Sequence, residues 1–200
     1  MSLLQKKKQG FTYEMSVMRM LDQIDREPLR AFLDELQPYD KAKLFLTLPI
    51  KYHISYLSFL SRQELAEILE ELDLNDQSKL IERIGPEKAS KVLNLMSNDD
   101  AADLLAQLED ENAEELLTAM EFGEAEKIKE LMTHHPDTAG GIMTSEYVWI
   151  YSHYTASETI EKIREIAPTA EIIYYIYVIN KKNRKLVGVV SIRDLLLAGP

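Results

Sequence analysis

The chain has no cysteine among its 200 residues. Disulfides and thiolate metal sites are thereby excluded, and the composition is compatible with a reducing compartment. It has no long apolar run either. The longest, IIYYIYVI at 172–179, is strand-sized and far short of the ~20 residues that a membrane helix needs. Glycine and proline are scarce at seven each, and 46% of residues are hydrophobic; that balance excludes a disordered chain in favour of a globular one. The opening MSLLQKKKQG lacks an apolar core followed by small residues, so no secretory signal is expected. There is no G-x-G-x-x-G, no P-loop and no Ser/His/Asp arrangement with motif context, and no enzyme activity is expected. Positive charge is short as well: 23 Lys and Arg against 34 Asp and Glu leave a net charge of −11. Such a chain repels phosphates, which argues against a nucleic-acid partner and favours cations or basic surfaces.

What the chain does have is acid in one place. From Ser97 to Met132, twelve Asp and Glu stand against two Lys, a local charge of −10. The rest of the chain is close to neutral, so the acidity needs a local reason. Glu109, Asp110, Glu111, Glu114, Glu115 and Glu124 read as the solvated face of helices.

The chain also has a repeat. Leu48, Leu60, Leu72, Ile84, Met96, Leu108, Met120 and Met132 are spaced twelve apart. Four residues earlier in each unit come Leu44, Tyr56, Ile68, Leu80, Val92, Leu104, Leu116 and Ile128. A third register holds Phe45, Leu57, Leu69, Ile81, Leu93, Leu105 and Leu117, and Phe32, Leu33 and Leu36 extend the pattern upstream. Within a unit the spacing i, i+1, i+4 is one helical face. One long helix is excluded, because twelve residues at ~100° each turn the face by about 120° per unit. Breakers are expected at Pro49, Ser61, Leu74-Asn75-Asp76, Gly85-Pro86, Ser97-Asn98, Asp110-Glu111-Asn112 and Gly123. Each unit is then a helix of about eight or nine residues, too short to stand alone. Stacked units form an α-solenoid, right- or left-handed; a plain helical bundle is the alternative.

From about Gly140 the pattern changes. YVWIY (147–151) reads as a strand, ASETIEKIREI (156–166) as an amphipathic helix and IIYYIYVI as a second strand. NKKNRK (180–185) reads as a turn, LVGVVSI (186–192) as a third strand and RDLLLA as the start of a helix, giving β-α-β-β-α. That last helix has barely begun at Pro200, so a longer natural chain is expected.

The second segment resembles a CBS domain, a β-α-β-β-α module. Met143-Thr144 matches its usual opening and Gly188 to Leu196, GVVSIRDLL, its close. CBS modules serve enzymes, channels and regulators alike, so alone they say little. The combination is more specific. A short helical repeat followed by TAGGIMTSEYV and APTAEIIYYIYVINKKNRKLVGVVSIRDLL, over about residues 28–200, is similar to the cytosolic half of an MgtE-type magnesium channel. The resemblance implies a mainly α chain, with a helical repeat domain at 1–136 and a first CBS domain at 137–200, incomplete at its end. It implies a missing second CBS copy and a missing transmembrane channel, on the cytoplasmic side of a membrane. In that family these domains sense Mg2+ and close a dimeric pore when it is plentiful. A homodimer through the CBS segment is expected, since its sheet and last helix would expose apolar surface. The alternative is a protein-binding α-solenoid scaffold, with flagellar motor switch proteins as the analogy, carrying a nucleotide-sensing CBS module.

The resemblance also implies ligands. SNDDAAD matches the segment whose acids bind regulatory Mg2+, which carries over Asp99 and Asp103. LAEIL carries over Glu67, one of the same repeat phase as Asp103, and AGGIMT the backbone carbonyl of Gly141. The facing carboxylates lie on the absent second CBS copy. On the residues alone, Asp99 and Asp103 stand one turn apart and suit a hard ion that keeps several waters; equally, Asp99 suits a helix cap. An adenine nucleotide such as ATP is implied by Ser191, Arg193 and Asp194 in S-I-R-D, with Tyr175 placed to stack. The structural alternative has Tyr174 and Tyr177 packing the sheet, Asp194 starting the last helix and Arg193 pairing with acids. His134-His135 reads as a helix end or linker, because adjacent side chains on a helix diverge by ~100°. His53 reads as surface or interhelical.

Overall fold

The three apolar registers fold into short helices because only a turn after each unit keeps every unit's apolar face on the same side. The structure, a computed structural model, describes residues 13–23, 26–166 and 172–198. The opening MSLLQKKKQG and the APTAE stretch at 167–171 lie outside them. The helices run α1 (Tyr13–Gln23), α2 (Arg26–Asp34), α3 (Pro38–Thr47), α4 (Ile50–Ser58), α5 (Arg62–Glu70), α6 (Leu74–Ile84) and α7 (Pro86–Leu93). They continue with α8 (Asn98–Ala106), α9 (Asp110–Ala119) and α10 (Phe122–Met132). None is long and apolar enough to cross a membrane.

All eight residues from Leu44 to Ile128 in the second register are at most 4% exposed, and Phe45 to Leu117 in the third at most 5%. The Leu48-to-Met132 register is buried or half-buried at the helix ends. Helices α3, α5, α7 and α9 pack each on the next of that row, and α4 packs on α6. Alternate helices therefore stack, and the structural unit spans two sequence repeats. The turns differ from expectation in three places. Leu74, Asn75 and Asp76 lie in the first turn of α6, capped by Asp73. Asp110, Glu111 and Asn112 open α9, and Gly123 lies inside α10. Acids and Asn favour a helix N-terminus as well as a turn, since the first turn carries free N–H groups and partial positive charge. Ser61 caps α5 in a reciprocal capping box with Glu64, and Gly85 holds φ 75° between α6 and α7, where a side chain would be strained. His53 is buried; its Nε2 bonds Leu48 O at 2.8 Å and its ring lies 4.5 Å from that of Phe45, so it is interhelical.

The chain divides into two compact units, Met1–Met96 with Asp100–His135, and Ser97–Asp99 with Pro136–Pro200. The second unit contains a 3-10 turn at Gly140–Ile142, then β1 (Tyr147–Tyr151), α11 (Ala156–Ile166), β2 (Ile172–Ile179), β3 (Leu186–Ser191) and α12 (Ile192–Leu197). The order β-α-β-β-α is as expected, except that Ile192 starts the helix instead of ending the strand. Sheet order is β1-β2-β3, parallel then antiparallel. A parallel pair requires a crossover, which α11 provides. Val148, Ile150, Ile163, Ile176 and Leu195 form its core.

Candidate functional site

Asp99 and Asp103 lie in α8, one turn apart, as their spacing requires. Their surroundings differ. Asp103 is exposed; Asp99 is half-buried, and its Oδ1 is buried with no hydrogen-bond partner among the described residues. A buried carboxylate oxygen without a donor is destabilising until a donor, a water or a cation reaches it. Glu67 is half-buried on α5, and the Gln63 side-chain amide donates to its Oε1 at 3.4 Å. Gly141 sits in the 3-10 turn, its N–H donating to Thr138 O at 3.0 Å and Oγ1 at 3.3 Å. That arrangement employs the N–H and leaves the direction of the Gly141 carbonyl set by a structured turn. Gln63 and Thr138 were not picked out from sequence; an amide four residues before Glu67 was the available signal for the first.

Among the described residues no group of three or more His, Cys, Asp or Glu gathers as a metal site would. Glu109, Asp110, Glu111, Glu114 and Glu115 are exposed and Glu124 half-buried, pairing with Lys127 at 2.9 Å. His134 and His135 follow the end of α10 and are exposed.

The four candidate nucleotide residues converge on one end of the sheet. Tyr175 on β2 is the register partner of Ser191 on β3. Ser191 caps α12: its Oγ accepts from Asp194 N–H at 3.1 Å and donates to Asp194 Oδ2 at 2.7 Å. Arg193 is exposed and makes no ion pair among the described residues, so the pairing with acids that the structural alternative offered is not found. Tyr175 is 60% exposed beside them. Tyr177 meets Tyr147 edge-on at 5.6 Å, as a packing role requires, whereas Tyr174 is 70% exposed and packs little. A flat ring, a hydroxyl–carboxylate pair and an unpaired guanidinium are the groups that a base, a sugar diol and a phosphate would each seek.

Two family models match: the MgtE intracellular N domain over residues 36–137 and the CBS domain over 139–200. The chain is 39% identical over 195 residues to a magnesium transporter MgtE of Bacillus subtilis, covering 96% of this chain and 43% of that protein. It is 36% identical over 189 residues to the Thermus thermophilus magnesium transporter MgtE, covering 93% and 42%. It therefore spans less than half the length of these curated relatives. A solved structure described as the cytosolic domain of the Mg2+ channel MgtE in complex with ATP matches with a TM-score of 0.85 at 32% identity, over 94% of this chain and 76% of that one.

Proposed function

The chain belongs to the MgtE family, and from that premise we propose that it is a Mg2+-sensing regulatory part of a magnesium transporter, which closes the pore when cytosolic Mg2+ is high. Its relatives carry magnesium transporter names, and neither their names nor these residues point to catalysis. The observation that carries the reading is Asp99. In the most acidic stretch of the chain, a carboxylate oxygen is withdrawn from water with no donor among the described residues, one turn from exposed Asp103. Hard oxygen donors of this kind fit Mg2+, which needs only one or two carboxylates and keeps waters.

In this reading residues 1–136 are the sensing solenoid and 137–200 the first CBS domain. Glu67, Asp99, Asp103 and the Gly141 carbonyl supply ligands, and a second CBS copy supplies facing ones. Bound Mg2+ neutralises repelling acids and favours a closed arrangement over an open one, so it shifts the population toward closure. The assembly is a homodimer at the cytoplasmic side of the membrane. Adenine nucleotide modulates it through Tyr175, Ser191, Arg193 and Asp194; the ATP complex of the solved relative supports this.

The test is thermal unfolding against Mg2+ or Mn2+ at constant ionic strength. Millimolar cation should raise the transition temperature, and Asp99→Asn with Asp103→Asn should remove most of the rise. A double variant that keeps the full rise overturns the ligand assignment.

A further inference from the structure

The hairpin between β2 and β3 concentrates positive charge in an acidic chain. From Ile172 to Arg193 the sequence holds five cations (Lys181, Lys182, Arg184, Lys185 and Arg193) and no Asp or Glu. Four of them lie in the loop 181–185, and all four are exposed. The loop is ordered by its own backbone: Asn180 N–H donates to Lys185 O at 2.9 Å and Arg184 N–H to Asn180 O at 2.8 Å. The Asn180 and Asn183 side chains accept from Lys182 and Lys185 N–H at 2.8 and 3.1 Å.

Beside the loop runs a chain of rings. Trp149 and Tyr151 are 5.2 Å apart, Tyr151 and His153 stack at 5.7 Å, and His153 meets Tyr154 at 5.1 Å. The cations lean onto these rings, Lys181 Nζ 5.8 Å from Tyr151 and the Arg184 guanidinium 5.9 Å from Trp149. Next along β3, Leu186 and Val187 are 59% and 56% exposed. Tyr151 pairs with Ile179, the last residue of β2 before the hairpin, whereas Tyr175, four residues back along β2, pairs with Ser191. The cluster is therefore separate from the candidate nucleotide residues.

We propose that this cationic and aromatic end of the CBS unit docks on an anionic lipid surface. Lys and Arg draw the unit to acidic headgroups, and the attraction adds up per cation. Trp and Tyr favour the headgroup level, where an apolar ring body meets a polar edge. Exposed Leu186, the register partner of Ile179 and so in line with Tyr151, supplies apolar area to the same contact. The chain's net charge does not forbid it. Residues 136–200 hold seven cations and seven acids, and charges farther off than the ~8 Å screening length at physiological salt are largely hidden from the loop. A lipid surface suits the pattern better than a folded acidic partner, because exposed cations, Trp and Tyr rings and exposed aliphatic side chains occur together, the mix that a headgroup layer over hydrocarbon accommodates. The proposal rests on the reading of the chain as part of a membrane transporter, which brings this loop within reach of a bilayer.

The experiment mixes the whole chain with phosphatidylcholine vesicles, with and without phosphatidylserine, and follows sedimentation and the emission of Trp149, the single tryptophan. Binding should require phosphatidylserine, weaken with salt and shift Trp149 emission to the blue. Lys181→Gln with Arg184→Asn should weaken binding about tenfold or more; Asn tolerates the φ of 54° that Arg184 adopts. Lys162→Gln with Arg164→Gln, which removes two cations from α11 of the same unit, should leave binding near the parent value. Absence of binding at low salt, equal binding without phosphatidylserine, or equal loss in both variants overturns the proposal. So does a hairpin variant that changes only self-association, which would assign the surface to a second copy. The Mg2+-dependent thermal shift is read separately, so failure here leaves the sensing reading standing.

Discussion

Lys41 Nζ donates to Glu64 Oε1 at 2.6 Å, with the two side chains only 8% and 12% exposed. Arg30 closes the other side, donating to Glu64 Oε2 at 2.9 Å and Oε1 at 2.6 Å, and Ser61 N–H reaches Oε2 at 2.9 Å. Burial pushes the Glu64 carboxyl up, but the hydrogen bonds from Arg30, Lys41 and Ser61 outweigh it and hold the group well below the usual carboxylate range. A depressed folded pKa contributes stability that is present above the unfolded value of about 4.3 and lost as pH falls toward the folded one. The transition temperature should therefore drop steeply below about pH 4. Glu64→Gln should cost about 3 kcal/mol at neutral pH, because it leaves Lys41 buried without its counter-charge, and should flatten the acid limb. Thermal melts of both proteins across that pH range check it.

Tyr56 links the same cluster to the repeat core. It is fully buried, and its hydroxyl donates to Lys41 O at 2.9 Å. Burial, with the Glu64 charge adding to it, pushes the phenol up, so it should stay un-ionised through the ordinary tyrosine titration. Tyr56→Phe should destabilise by about 1 kcal/mol through the carbonyl left unpaired, and Tyr56→Ala by about 3–5 kcal/mol through the added cavity. Denaturant unfolding with unchanged slope reads both.

The burial of Tyr56 was legible in its register. A twelve-residue period says which residues turn inward, and Leu44 through Ile128 do so without exception. It does not say which neighbour each helix meets, so the stacking of α3 on α5 and of α4 on α6 was hidden. The turn positions failed where Asp, Glu and Asn serve both turns and first helical turns. Likewise, the spacing of Asp99 and Asp103 placed them on one helix, and family likeness marked them. The lack of a donor at Asp99 Oδ1 depends on what packs around it, which no local pattern carries. The pairing of Tyr175 with Ser191 needed the register of β2 against β3, set by a hairpin with irregular pairing near Val178.

Tyr175 separates packing from recognition. At 60% exposure its removal touches little of the core, so Tyr175→Ala should change stability by no more than about 0.5 kcal/mol. Base stacking is worth about 1–3 kcal/mol, so the same variant should weaken adenine nucleotide binding by about tenfold or more. Calorimetry with ATP beside a thermal melt measures both. A variant that binds like the parent assigns Tyr175 to the surface alone.

Asp99→Asn should move stability in opposite directions with and without cation. In the absence of divalent ion, the buried Oδ1 is a carboxylate acceptor with no donor among the described residues, inside a stretch where twelve acids stand against two lysines. An amide removes that charge and offers hydrogens, so the cation-free variant should be more stable than the parent, by up to about 1–2 kcal/mol. With Mg2+ present the order should reverse, because the parent gains binding energy that the amide cannot match. Sodium at equal ionic strength separates the two effects. Screening softens the repulsion among all twelve acids in both proteins alike, whereas a bound ion helps only the chain that keeps the carboxylate. Glu111→Gln removes an equal charge from the exposed first turn of α9; relief of repulsion and loss of the helix-end attraction oppose each other, so stability without cation should change little and the full Mg2+ increment should remain. If Asp99→Asn behaves like Glu111→Gln, the carboxylate is one more solvated acid. If Asp99→Asn loses the Mg2+ increment that Glu111→Gln keeps, the destabilised oxygen of Asp99 is where the ion binds.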